Sequence, residues 1–157
     1  MPDSFRLRVM RHFTDGIETA LPELQSVSFG IATYGETDPL PLVSLIEDPR
    51  EQPATETQVP AKGHLVPWRL LVQGFVEDDA GEPTAPAYNL AGQIMQTVSE
   101  LAVAGEDVLS PQRKVNRVEQ IKIGAPIVRP PDEFSSKAYC WIPITLDLFE
   151  TPSQPFT

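Results

Sequence analysis

The chain has 157 residues, enough for one domain with a core of its own, and 41% of them are apolar, too many for a disordered chain. Twelve Lys+Arg against 22 Asp+Glu give a net charge of −10, which argues against a surface built to grip nucleic acid or anionic lipid; the single Cys140 excludes an intrachain disulfide and a Cys-based zinc cage. No apolar run reaches the roughly 20 residues of a membrane helix, and Met1 to Arg6 lacks the apolar stretch of a signal peptide, so a soluble protein made in the cytoplasm is expected.

The first periodic segment runs from about Ser4 to Ala20, where Phe5, Val9, Phe13 and Ile17 recur every fourth residue. That spacing predicts an amphipathic helix, capped by Asp3 or Ser4 and stopped by Pro22. Val27 to Thr33 is a short β-branched run and reads as a strand. A second strand is expected from about Leu42 to Ile46, because Pro39 and Pro41 deny ladder donors before it.

From Glu47 to Pro67 four prolines alternate with Arg50, Glu51, Gln52, Thr55, Glu56 and Thr57. So long and polar a connection reads as a surface loop, or as an arm lying on a neighbouring subunit. Trp68 to Val76 follows as a strand with Trp68, Leu70, Val72 and Val76 on one face and Arg69, Leu71, Gln73 and Phe75 on the other. Asp78, Asp79 and Glu82 form an acidic turn. A second helix opens at Thr84 or Ala85 with Pro86 in its first turn; Leu90, Ile94, Val98 and Leu101 make its stripe and Gly105 its C-terminal cap.

After a linker (Glu106 to Lys114) two long strands are expected, Val115 to Val128 and Ala138 to Glu150. The second alternates Cys140, Ile142, Ile144, Leu146 and Leu148 with Tyr139, Trp141, Pro143, Thr145, Asp147 and Phe149; Pro143 points to an edge position or a bulge. Thr151 to Thr157 reads as a loose tail. The expectation is thus one α+β domain over 1–157, a mostly antiparallel or mixed sheet with two helices on one face. Its second face keeps Leu71, Phe75, Tyr139, Trp141 and Phe149, a composition that suggests burial against another chain.

No motif carries catalytic chemistry: there is no phosphate loop, no paired-His zinc motif and no nucleophile elbow. Neither His12 nor His64 has metal-ligand company, Cys140 falls on the core face, and no cofactor is expected. Asp78, Asp79 and Glu82 could gather a calcium ion, but they lack EF-hand spacing and a solvated turn explains them equally well. Charge is uneven: Arg113 to Arg129 holds five basic residues and one acid, whereas Gly35 to Thr57 holds six acids and one Arg. Such segments can pair inside the fold or between identical neighbours arranged head to tail. The candidate interface residues are therefore Arg50, Glu51, Glu56, Arg113, Lys114, Arg117, Trp141 and Phe149.

The order of elements resembles a known family. An opening amphipathic helix leads to Val27–Ser28–Phe29–Gly30, then to the proline-led Pro41–Leu42–Val43–Ser44–Leu45–Ile46–Glu47. A long polar insertion precedes Trp68–Arg69–Leu70–Leu71–Val72–Gln73–Gly74–Phe75–Val76, and a helix with Tyr88–Asn89–Leu90–Ala91 is followed by the closing strands. This is similar to the tail terminator (tail completion, minor tail) proteins of long-tailed bacteriophages. The resemblance implies a virion structural protein rather than an enzyme: a hexameric ring that caps the tail tube, stops its polymerisation and docks to the head–tail connector, while DNA passes through the lumen without specific binding. Another connector or tail-tube component would share these features. Readings from a different class are a small α+β enzyme or ligand-binding domain, and a monomeric module binding peptides at a proline-bearing edge strand.

Overall fold

A computed structural model describes residues 2–31, 35, 37–50, 62–104, 115–133 and 137–157. The first helix, α1, spans Phe5–Ala20, and its cap Ser4 accepts a hydrogen bond from the Leu7 amide at 3.3 Å. The fourfold spacing does what it predicts: Phe5, Val9, Phe13 and Ile17 are all buried. Gly16 weakens the helix intrinsically, yet a Cβ there would lie 2.5 Å from a Leu101 methyl, so the missing side chain lets α2 (Ala85–Ala104) approach. In α2 the residues Ala87, Leu90, Ala91, Ile94 and Val98 are buried against the same core.

Among the described residues six strands form one mixed sheet: β1 (Ser26–Phe29), β2 (Leu42–Glu47), β3 (His64–Phe75), β4 (Arg117–Ile123), β5 (Ile127–Arg129) and β6 (Tyr139–Glu150). The order is β1-β2-β3-β6-β4, with β5 also on β6; only β1 and β2 pair in parallel. The fold is α+β. Val43, Leu45, Trp68, Leu70, Val72, Cys140, Ile142, Ile144, Leu146 and Leu148 share one core cluster with residues of both helices, which therefore cover one face of the sheet. Alternation assigns Leu42, Ser44, Ile46, Leu71, Gln73, Phe75, Tyr139, Trp141, Pro143 and Phe149 to the outer face.

Several expected boundaries move. β1 ends at Phe29, because Gly30 takes φ +78°, a left-handed conformation that breaks the ladder. β3 begins at His64 rather than Trp68 and so includes Pro67, shortening the long connection at its end. Leu71 faces β2, and by alternation so does Pro67, beyond the last β2 partner at Leu70; its missing N–H deprives no strand of a bond.

The expected strand from Val115 to Val128 is two strands, β4 and β5, broken at Gly124–Ala125–Pro126. The break lies opposite Pro143, which is not on an edge strand: β6 pairs with β3 on one side and with β4 and β5 on the other. Pro143 accepts a 2.8 Å hydrogen bond from the Gly124 amide, so its imide nitrogen also faces β4 and β5, where the ladder is interrupted. A peptide-binding edge at Pro143 is therefore ruled out.

The tail is fixed rather than loose. Pro155 offers its carbonyl to the Phe5 amide at 2.8 Å, occupying an otherwise unpaired donor of the first turn of α1. Asn116, only 2% exposed, donates to the carbonyl of Gln154 at 2.8 Å and accepts from the Thr151 amide at 2.7 Å. Arg8 reaches the main-chain oxygen of Thr157 at 2.8 Å.

Candidate interaction surface

The outer face of the sheet is where the sequence places a partner. At the far end of β6 the register sets Phe149 between Leu65 of β3 and Arg117 of β4. The Arg117 guanidinium stands 3.9 Å above the centre of the Phe149 ring and is also bonded to Glu119. Leu65, Val66 and Pro67 make one wall of a shallow groove of about 780 Å³, and Arg117, Glu119 and Gln120 the other, with Asp147 and Phe149 between them. Leu65 is 61% exposed and Lys122 pairs with Asp147 at 3.2 Å. The groove is apolar at its centre with charges of both signs around it.

Towards the start of β6 the face is aromatic. Phe75 stacks on Tyr139 at 5.9 Å between ring centres, and Tyr139 lies 5.6 Å from Trp141. Tyr139 donates its hydroxyl to Asp132 at 2.8 Å; burial first, and then this carboxylate, push the phenol above its ordinary pKa. Part of this face is closed within the chain itself. Leu71 and Tyr139 are buried, as are Leu42, Ser44 and Ile46, and the Ser44 hydroxyl bonds the Ile31 carbonyl. Of the five outer-face residues expected to meet another chain, only Phe75, Trp141 and Phe149 keep accessible surface.

The structure brings Arg117 and Phe149 together and places Trp141 on the same face, nearer the start of β6. Arg50 sits apart at the exit of β2, where its Nε lies 2.9 and 3.0 Å from the two carboxylate oxygens of Asp48. Asp48 is buried, and the Arg50 hydrogen bonds hold its carboxyl below the usual range against the opposing effect of burial. Arg50 thus braces the exit of β2 while most of its side chain stays exposed. Glu51, Glu56, Arg113 and Lys114 lie outside the described residues, as do Gly105 and the linker 106–114.

Two carboxylates of the acidic turn are engaged by backbone amides of the chain. Asp78 accepts from the Ala138 amide at 2.6 Å, and Asp79 from the amides of Gly81 and Glu82 at 2.9 and 2.8 Å. Among the described residues no cluster of His, Cys, Asp and Glu could hold a metal ion. Cys140 is buried, and desolvation pushes its thiol up to about 12. His12 contacts the Leu101 carbonyl with its ring, and burial pulls its pKa down.

Two arrangements escape a reading of the sequence. Arg6 binds Glu150 through two bonds (3.0 and 2.6 Å) and lies 4.8 Å over Trp68, whose indole N–H donates to Glu47 at 2.6 Å. This set ties α1, β2, β3 and β6 together. Asn116 holds the tail. Each depends on pairing across more than twenty residues, for which local periodicity gives no signal. Protein-family models and curated proteins were compared with the chain, and none matches it.

Proposed function

We propose that the protein is a structural component of a virus particle, a ring-forming tail terminator that caps the tail tube and presents a docking surface to the head–tail connector. The observation that carries this reading is the outer-face groove around Leu65, Arg117 and Phe149, an apolar centre rimmed by opposite charges, on a sheet whose other face is sealed by two helices. A one-sided layer of this kind leaves the part of its outer face around this groove for assembly. The architecture that the family resemblance implies, a sheet with helices on one side, supports the same reading. So does the net charge of −10, since a negatively charged lumen would let DNA pass without adhesion.

The decisive measurement is absolute mass in solution, together with electron microscopy of negatively stained particles. A ring with a mass near six times 17.3 kDa, and arrest of growing tail tubes on its addition, is the expected result. A compact monomer that leaves tube growth unchanged overturns the reading in favour of a small ligand-binding domain.

A further inference from the structure

The two edges of the sheet are complementary to each other. β1 lies in a stretch, residues 12–49, that contains seven Asp+Glu and no Lys or Arg. β4 carries Arg117 and Lys122, which pair within the chain with Glu119 and Asp147, in a segment that begins at Arg113 and Lys114 and is net basic. These strands occupy opposite ends of the strand order. Following the pairings across the sheet, β4 runs antiparallel to β1. Placed side by side in one orientation, two copies would bring a β4 edge against a β1 edge in an antiparallel, hydrogen-bondable sense.

The details of both edges agree. The Gly30 amide donates to Leu45 at 2.9 Å, so alternation also turns Ser28 towards β2 and leaves the N–H and C=O groups of Val27 and Phe29 pointing outward. On β4 the Gly124 amide donates towards β6, Lys122 faces the same way, and Ile121 and Ile123 point their backbone groups outward. The irregularity at Val118/Gln120 lies before this stretch and leaves it regular. On the helix-covered side the β1 edge shows Val27 and Phe29, the latter 38% exposed, and the β4 edge shows half-buried Ile121 and Ile123. On the outer side β1 has Ser28 and β4 has Lys122. One register satisfies every requirement at once: Val27 opposite Ile123, Phe29 opposite Ile121, and Ser28 opposite Lys122. It pairs apolar with apolar on one face, polar with polar on the other, and backbone donors with acceptors between.

We infer that β1 of one copy takes up β4 of the next, so that the sheet continues from subunit to subunit. Because the contact joins two different surfaces, it propagates head to tail and closes only as a ring. This rests on the ring reading above and names the contact that builds it.

Cysteine pairs test it. Ser28 and Lys122 would form a non-hydrogen-bonded cross-strand pair, whose Cα separation of about 4.5 Å suits a disulfide. The native Cys140 is buried and stays silent. Under mild oxidation the Ser28→Cys/Lys122→Cys double variant should give a ladder ending at the closed ring, and a mixture of the two single variants should give dimers containing one of each. Either single variant alone should remain unlinked. As an independent check without cysteines, Phe29→Lys should weaken self-association by on the order of tenfold, the effect of losing about 1.4 kcal/mol of apolar contact. Dimers from Ser28→Cys alone would indicate a two-fold β1–β1 contact and overturn the inference. A multimeric wild type whose double variant never cross-links would overturn this contact while leaving the ring reading standing. A wild type that is monomeric at every concentration would overturn both.

Discussion

Gly74 is the last residue but one of β3, opposite Cys140 of β6, on the face that α2 covers. A Cβ at this position would lie 2.7 Å from Leu90 Cδ2, 3.3 Å from Leu90 Cγ and 2.9 Å from Cys140 Sγ. Carbon atoms in contact prefer about 3.5–4.0 Å, so the new methyl overlaps its neighbours by close to 1 Å. Neither can retreat, because Leu90 and Cys140 are both buried and both strands are paired through the site. Overpacking of this kind costs about 1–3 kcal/mol. For a domain of this size each kcal/mol lowers the melting temperature by about 2–4 °C, so Gly74→Ala should melt about 2–12 °C below wild type. Urea unfolding followed by tryptophan fluorescence reads the same change, since Trp68 lies in the core beneath α1 and α2. The cause is tested by Leu90→Ala, which alone costs about 2–5 kcal/mol. In the double variant the methyl fills part of the vacated space, so the two losses should fall short of their sum by about 1 kcal/mol or more. A Gly74→Ala protein as stable as wild type, or strict additivity in the double variant, would refute the packing argument.

Asn116→Ala removes three hydrogen bonds to the tail, one of them the acceptor of the Thr151 amide; a loss of about 1–2 kcal/mol is expected, with faster hydrogen exchange at Thr151 by mass spectrometry and little change in the sheet. His12 is neutral in the fold because burial lowers its pKa below the 6.5 of the unfolded chain, with its Leu101 contact and nearby Asp15 opposing. The unfolded chain therefore binds the proton first as pH falls, and stability present above about 6.5 is lost below it. His12→Gln should flatten the stability profile between pH 5 and 7 relative to wild type, measured by urea titration. With its thiol pushed up to about 12 and no exposure, Cys140 should resist a thiol reagent at pH 8 in the native protein and react fully in denaturant. Rapid native labelling would contradict its placement under α2.

Elements governed by local chemistry were legible in the sequence. The fourfold apolar spacing located α1, the Leu90–Ile94–Val98 stripe located α2, and Pro41 marked the start of β2. The errors share a cause, which is that a proline's effect depends on where its nitrogen points. Pro67 faces beyond the end of β2 and Pro143 faces the gap between β4 and β5, so both sit inside long strands that the sequence alone would cut or push to an edge. The anchoring of the tail was hidden for a related reason: its composition says polar and exposed, while the groups that hold it, Phe5, Arg8 and Asn116, lie far away in the sequence. At the candidate surface, the pairing of Arg117 with Phe149 followed only once the β4–β6 register was known. The bond of Arg50 to the buried Asp48 was likewise invisible, because charge counting does not show which neighbour a side chain folds back on.

The fastening of the tail to the start of α1 also sets how the molecule would bear load. Its two ends lie side by side, joined by Phe5–Pro155 and Arg8–Thr157 contacts. A pull applied between them meets these few bonds before it reaches any strand. They would open one after another like a zipper, at low force, and the tail would lengthen while the sheet stayed intact. In a single-molecule stretching trace this is a small early extension, reversible on relaxation, well separated from the high-force rupture of β3 from β6. Asn116 is the last bolt in that row, and without it the early step should end at a lower force.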